Sequence, residues 1–155
     1  MNLEDYQWEI FKVYKNALRY IGVDFSREDV QEVLEYCYEG MEDAFQATIS
    51  YWKHKKENIE YPTAFLIQAL QEKWKAYEWD PKWLLDERFK SACQKWWDEA
   101  EFYWGCEWRN SLVADVVENS QGSDYILFMN GRTLRLSTAE SWGWKKVLDY
   151  AQGEF

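Results

Sequence analysis

The chain has one histidine, two prolines, seven glycines and three cysteines, and no apolar run approaches the ~20 residues that a membrane-spanning helix needs. Each scarcity closes off a class of protein. His54 lies between Lys53 and Lys55-Lys56, so Cys–His or Ser–His–Asp catalysis would rest on one surface-like residue, and zinc sites lack their usual ligands. Cys37, Cys93 and Cys106 are odd in number and far apart, which speaks against a disulfide framework and fits reduced, packed thiols. There is no internal repeat and no low-complexity linker. The opening MNLEDYQWEI carries acid where a signal peptide carries base, so export is not expected and a cytoplasmic location is. The motifs GxxxxGK(S/T), GxGxxG and GxSxG are absent, and with them the phosphate-loop, dinucleotide and nucleophile-elbow readings. No tight Asp-x-Asp cluster points to a metal, and pairs such as Asp98 with Glu101 have the spacing of ordinary helix surface. The expectation is a non-enzymatic chain without cofactor or metal.

What is abundant is aromatic and acidic: eleven tryptophans, eleven tyrosines and eight phenylalanines, with 28 acids against 18 bases and a net charge of −10. An apolar fraction of 47% beside 30% charged residues argues for a folded core rather than disorder. The length suits one domain over residues 1–155, folding alone or as a homo-oligomer. The negative charge disfavours broad binding to a nucleic-acid backbone.

Along the chain, Leu3, Tyr6, Ile10, Val13, Ala17 and Ile21 recur at helical spacing and predict a first helix closed by Gly22. Ser26 with Asp29 reads as a capping box for a second helix, whose stripe runs from Val30 to Trp52 with Gly40 as its one break point. Pro62 opens a third helix through Trp74. Asp80-Pro81 opens a fourth, running to Trp104 and closed by Gly105. Beyond Asn110, valine-rich Leu112 to Val117 and the segments flanking Asn130-Gly131 predict strands, the latter a hairpin. Ser137 with Glu140 then caps a final helix to Ala151. The expected fold is α+β, mostly α: four N-terminal helices over 1–109, then a small antiparallel sheet with a hairpin and a C-terminal helix over 110–155.

The second helix carries Glu28, Asp29, Glu32, Glu35, Glu39, Glu42 and Asp43 away from its apolar stripe. Such a run is a solvated face or a docking face for a basic protein partner. Aromatic and basic residues alternate at Trp52-Lys53 and Lys95-Trp96-Trp97, the composition of a single-stranded nucleic-acid platform or of tryptophan packed beside lysine stems. Trp8, Trp79 and Trp97 fall off the apolar stripes and are expected at the surface.

The block Tyr61-Pro62-Thr63-Ala64-Phe65-Leu66-Ile67-Gln68-Ala69-Leu70-Gln71-Glu72-Lys73-Trp74 resembles the Asn-Pro-x-Gly-Phe-Leu-x-x-Ala-Leu-x-x-x-Trp segment in the C-terminal helical part of bacterial plasmid-type replication initiators and related mobile-element proteins. With the helix before it, the resemblance spans about residues 30–74. Tyr61 stands for the capping asparagine and Ala64 for the glycine, and no winged-helix DNA-reading part accompanies it. The resemblance implies a partner-contacting helical accessory in DNA replication or a mobile-element system. Three readings follow: an acidic protein-interaction module, a single-stranded nucleic-acid binder using the Trp/Lys surface, and a DNA-mimic inhibitor of the phage-versus-host kind.

Overall fold

A computed structural model of the chain describes residues 1–119 and 123–154. The described residues form α1 (Asp5–Ile21), α2 (Glu28–Tyr36), α3 (Met41–His54), α4 (Pro62–Glu72), 3-10 turns at Pro81–Leu85 and Glu87–Phe89, and α5 (Ala92–Trp104). There follow α6 (Cys106–Leu112), β1 (Val113–Val117), β2 (Tyr125–Phe128), β3 (Thr133–Arg135), α7 (Leu136–Trp142) and α8 (Trp144–Ala151). The fold class is α+β with a helical majority, as its periodicity predicts. Two compact units divide at Lys90–Ser91, each with its own core. The boundary thus falls well before the change of texture after Asn110, because α5 and α6 both pack on β1.

In the first unit, α1 lies against α3, and α4 against α2 and α3. Leu18, Val30, Leu34, Phe45, Ile49 and Leu66 are fully enclosed there. The buried face of α1 is Gln7, Phe11, Tyr14, Ala17 and Leu18, displaced from the expected stripe, so that Tyr6 and Val13 face solvent. The cause is Gln7, a polar residue that periodicity assigns to the outside. Its Nε2 donates to the carbonyls of Leu34 and Cys37 at 3.2 and 2.8 Å, which ties α1 to the end of α2, where helix carbonyls run out of intrahelical partners.

The stretch from Ser26 to Trp52 is two helices, not one, and the break comes at Gly40. Ser26 does not cap α2: its N–H and hydroxyl both donate to Asp24 Oδ1, and Arg27 occupies the N-cap. Nor does one helix run from Pro81 to Trp104. Asp80 accepts from the Lys82 N–H, Asp86 from the Arg88 N–H, and Ser91 from the Gln94 N–H. Each oxygen restarts the chain, giving two short turns and then α5.

Arg88 locks these turns to the helices. Its guanidinium donates to Asp86 at 2.7 Å and to Glu57, and lies over Trp52 and Tyr20 at 5.4 and 5.6 Å. Phe89 is buried against the same two rings.

In the second unit the sheet order is β1-β2-β3, antiparallel throughout. A bulge between Val113 and Asp115 shifts the β1 register. The Asn130-Gly131 turn joins β2 to β3, and Asn130 Nδ2 also donates to the Ala151 carbonyl at 3.1 Å, tying the turn to α8. Ile126, Phe128, Leu134 and Val147 fill the core. The expected last helix is interrupted: α7 and α8 meet at Gly143, and Ser137 makes no cap. In the same way α5 and α6 meet at Gly105, so a sixth helix precedes the sheet. These glycines have φ/ψ of 86/155° and 88/161°, a region essentially closed to residues with a Cβ. A Cβ there would meet nothing within 4 Å, so the requirement is torsional and not steric.

Two measurements test these assignments. Gly105→Ala and Gly143→Ala should each destabilise the second unit by ~1–3 kcal/mol through backbone strain alone, read as a lower urea midpoint with an unchanged slope. Arg88 holds the Asp86 carboxyl down at about 2 and lowers that of Glu57. Carboxylates depressed in the folded state stabilise it above their unfolded pKa and lose that contribution as pH falls through the folded value. Stability of the first unit should therefore fall between about pH 4 and pH 2, and in Arg88→Gln the fall across that window should be smaller.

Candidate functional site

The acidic residues of the predicted face separate into two groups. On α2, Val30 and Leu34 are buried, and the 3.6-residue turn brings Glu28, Glu32, Glu35 and Tyr36 together on the opposite side. Asp29 turns to Arg27, 2.6 Å away. Glu39, in the connection to α3, lies 3.8 Å from Lys73 with both side chains exposed, a pair that contributes little. Glu42 and Asp43 belong elsewhere. They head α3, where carboxylates complement the helix dipole, and Glu42 accepts the hydroxyl of buried Tyr14 at 3.1 Å. Burial, with these two acids beside it, raises the Tyr14 phenol above its ordinary value.

Three contacts sew the start of α1 to the end of α2: the Gln7 bonds, the Asn2 N–H to Glu35 Oε1 at 2.6 Å, and the Tyr6 hydroxyl to the Tyr38 carbonyl at 3.1 Å. Tyr6, Tyr36 and Tyr38 consequently surround this junction at 49%, 68% and 69% exposure. Glu35 and Glu39 stand among them. The last turn of α2 carries no base, so the negative end of its dipole adds to that charge.

The aromatic and basic pairs are placed differently from a stacking surface. Trp52 and Trp96 are each 3% exposed, and rings so enclosed offer no face to a base. Lys53 lies over Trp52 at 5.4 Å and pairs with Glu57 at 3.9 Å. Trp96 stacks on Trp144 at 5.3 Å. Trp97 is half-buried under the Arg109 guanidinium, 4.0 Å from its ring centre. Lys95 alone of the set projects freely into solvent. Trp8 and Trp79, expected at the surface, are likewise half-buried. Trp108 on α6 is the exposed indole, at 52%.

Arg109 is itself buried. Its Nη1 donates to the Trp97 carbonyl and to Glu101, both at 3.2 Å, so Glu101 serves the fold and does not pair with Asp98. Cys37 and Cys93 are buried and Cys106 is exposed. Burial, reinforced by Asp124 and Glu118, pushes the Cys93 thiol up to about 12, which keeps it protonated and unreactive. Among the described residues no group of three or more histidine, cysteine, aspartate or glutamate side chains is placed to hold a metal ion, and no helix is long and apolar enough to cross a membrane.

The first unit also contains a cavity of about 380 Å³. Ala47, Ser50, Tyr51 and His54 line it from one face of α3, at the i, i+3, i+4, i+7 spacing. Phe65 lines it from α4, and Trp74, Lys75 and Tyr77 from the segment that follows. Tyr51 and Phe65 stack at 4.5 Å, and Trp74 meets Phe65 edge-on at 5.3 Å. Lys73, in the left-handed region, ends α4, and the Trp74 N–H reaches back to the Ala69 carbonyl. That turn folds Trp74 onto Phe65.

His54 closes α3. Its Nδ1 lies 2.7 Å from the Ser50 carbonyl and its Nε2 3.3 Å from Glu78 Oε2. Both partners are acceptors, so only the imidazolium satisfies both at once. The Ser50 carbonyl first, and then Glu78, raise the His54 pKa above its ordinary value.

No family model, curated protein or solved structure matches the chain.

The His54 environment has a direct readout. In an NMR titration its ring proton should move with a midpoint above that of a free histidine, and Glu78→Gln should bring the midpoint down. A midpoint in the Glu78 variant equal to that of the parent would remove the carboxylate from this account.

Proposed function

We propose that this chain is a non-enzymatic, acidic protein-interaction module whose first unit takes a basic segment of a partner protein at the outer face of α2. The observation that carries this reading is the outer side of α2, where Glu28, Glu32, Glu35 and Tyr36 share one face that ends, at Glu35, beside the contact of exposed Tyr6 with exposed Tyr38. Carboxylates pair with arginine and lysine, and tyrosine faces attract the same cations at ~0.5–1 kcal/mol each when exposed. Tyrosine is also enriched at protein interfaces, where it supplies area at small entropic cost. The likeness of residues 30–74 to the helical segment of plasmid-type replication initiators supports a setting beside a DNA-replication or mobile-element machinery. The single-stranded nucleic-acid reading loses support, because Trp52 and Trp96 are enclosed.

The test uses a fluorescently labelled arginine-rich peptide and its anisotropy against the full chain at low and high salt. Glu28→Gln, Glu32→Gln and Glu35→Gln combined should weaken binding about tenfold, the sum of a few exposed ion pairs. Tyr36→Ala with Tyr38→Ala should weaken it further at high salt, where the ionic part is screened. The same number of charges removed at exposed Glu99, Glu107 and Glu140 should change affinity less than the α2 set. Equal loss from the two sets would mean that only net charge is felt, and the reading would fail.

A further inference from the structure

The cavity beside α3 has a composition unlike the rest of this chain. Its floor is small and buried: Ala47 at 7% exposure and Ser50 at 3%. Its aromatic lining residues are Tyr51, Phe65, Trp74 and Tyr77, and beside them stand His54, paired with Glu78, and Lys75. No carboxylate lines it, although the chain carries 28 acids. Glu78 holds His54 from outside the lining set, and Lys75 makes no ion pair among the described residues. A second ammonium, that of Lys55, sits 5.5 Å over the Tyr51 ring.

We infer that this cavity binds a small planar aromatic molecule carrying one anionic group, its ring against Phe65, Trp74 and Tyr77 and its anion met by Lys75. Its volume lies near the lower end of ligand pockets, ~300–1,000 Å³, which suits one or two fused rings. Aromatic walls place the ring by stacking and edge contacts. The Lys75 ammonium sets the sign of the charge. Aromatic walls also suit an ammonium ligand, but here Tyr51 and Phe65 turn their faces to one another, and the Lys75 ammonium repels a second cation. The site is independent of the α2 surface, and its test uses other residues and other probes.

Calorimetric titration of the full chain with 2-naphthoate, 2-naphthyl phosphate, neutral 2-naphthamide and a 2-naphthyl trimethylammonium salt decides the matter. The expected result is saturable 1:1 binding of at least one anion, about tenfold tighter than the amide, as one charge-assisted hydrogen bond provides. Whichever anion binds better identifies the group as carboxylate or phosphate. Lys75→Gln should weaken that anion about tenfold and leave the amide unchanged. Tyr77→Ser should weaken anion and amide alike, and because Tyr77 is 98% exposed its loss leaves the core intact. An unchanged urea midpoint verifies folding in each variant. Absence of saturable binding, an amide or ammonium salt that binds as well as the anions, or indifference to Lys75→Gln would each overturn the inference.

Discussion

Trp104 and Trp144 meet edge to face at 5.5 Å, and the Trp104 indole N–H donates to the Trp144 carbonyl. The arrangement of the second unit depends on that meeting. Trp104 immediately precedes Gly105 and Trp144 immediately follows Gly143, so the contact joins two corners of the chain that only glycine can turn. At the first corner α5 passes into α6 without a linker, and both helices lie against β1. At the second, α7 packs on β3 while α8 sends Val147 and Ala151 into the core. Trp96 and Tyr103 stack on the Trp144 ring, which turns a pairwise contact into a cluster. A unit of this size has little interior, and indoles that each bury a large area supply it.

The aromatic excess divides by residue type. Indoles go mainly inward: Trp52, Trp96 and Trp104 are buried and most others half-buried. Phenols go mainly outward, at Tyr6, Tyr36, Tyr38, Tyr61 and Tyr77. A phenol keeps its hydroxyl hydrated at the surface while presenting an apolar ring, whereas an indole has more area to hide. The acids divide as well. Glu42, Glu57, Asp86 and Glu101 are spent on Tyr14, Arg88 and Arg109, and Glu28 and Glu32 of α2 remain open to solvent. The high acid content is therefore two populations, one holding tertiary structure and one giving the first unit its surface potential.

The helix start at Pro62, the Asp80 cap, the Asn-Gly turn and the fold class were legible in the sequence because each follows from local backbone chemistry. The breaks were less so. Leu84, Leu85, Phe89, Ala92, Cys93 and Trp96 keep helical spacing across Asp86 and Ser91, so periodicity carried one helix through two restarts; the capping residues were the visible sign. Gly105 and Gly143 were harder, since one read as an end and the other as an interior residue, and a corner between two helices requires knowing what each covers. The α1 face was displaced because Gln7 is buried by partners 27 and 30 residues away. The α3 cavity had no local sign at all. Ala47 and Ser50 read as ordinary helix, and the space above them exists only because α4 ends in a left-handed turn that lays Trp74 on Phe65.

The bulge in β1 has a meaning for the chain in company. β1 is an outer strand paired on one side only, to β2, and Val113, Val116 and Val117 give it the composition that invites a further strand. Ala114 is the extra residue, which bends the strand and spoils the even spacing a neighbour would need. Asp115 follows it, exposed, on the same strand. A kink and a carboxylate at one end of an otherwise adhesive edge make that edge a poor template for a strand from another copy.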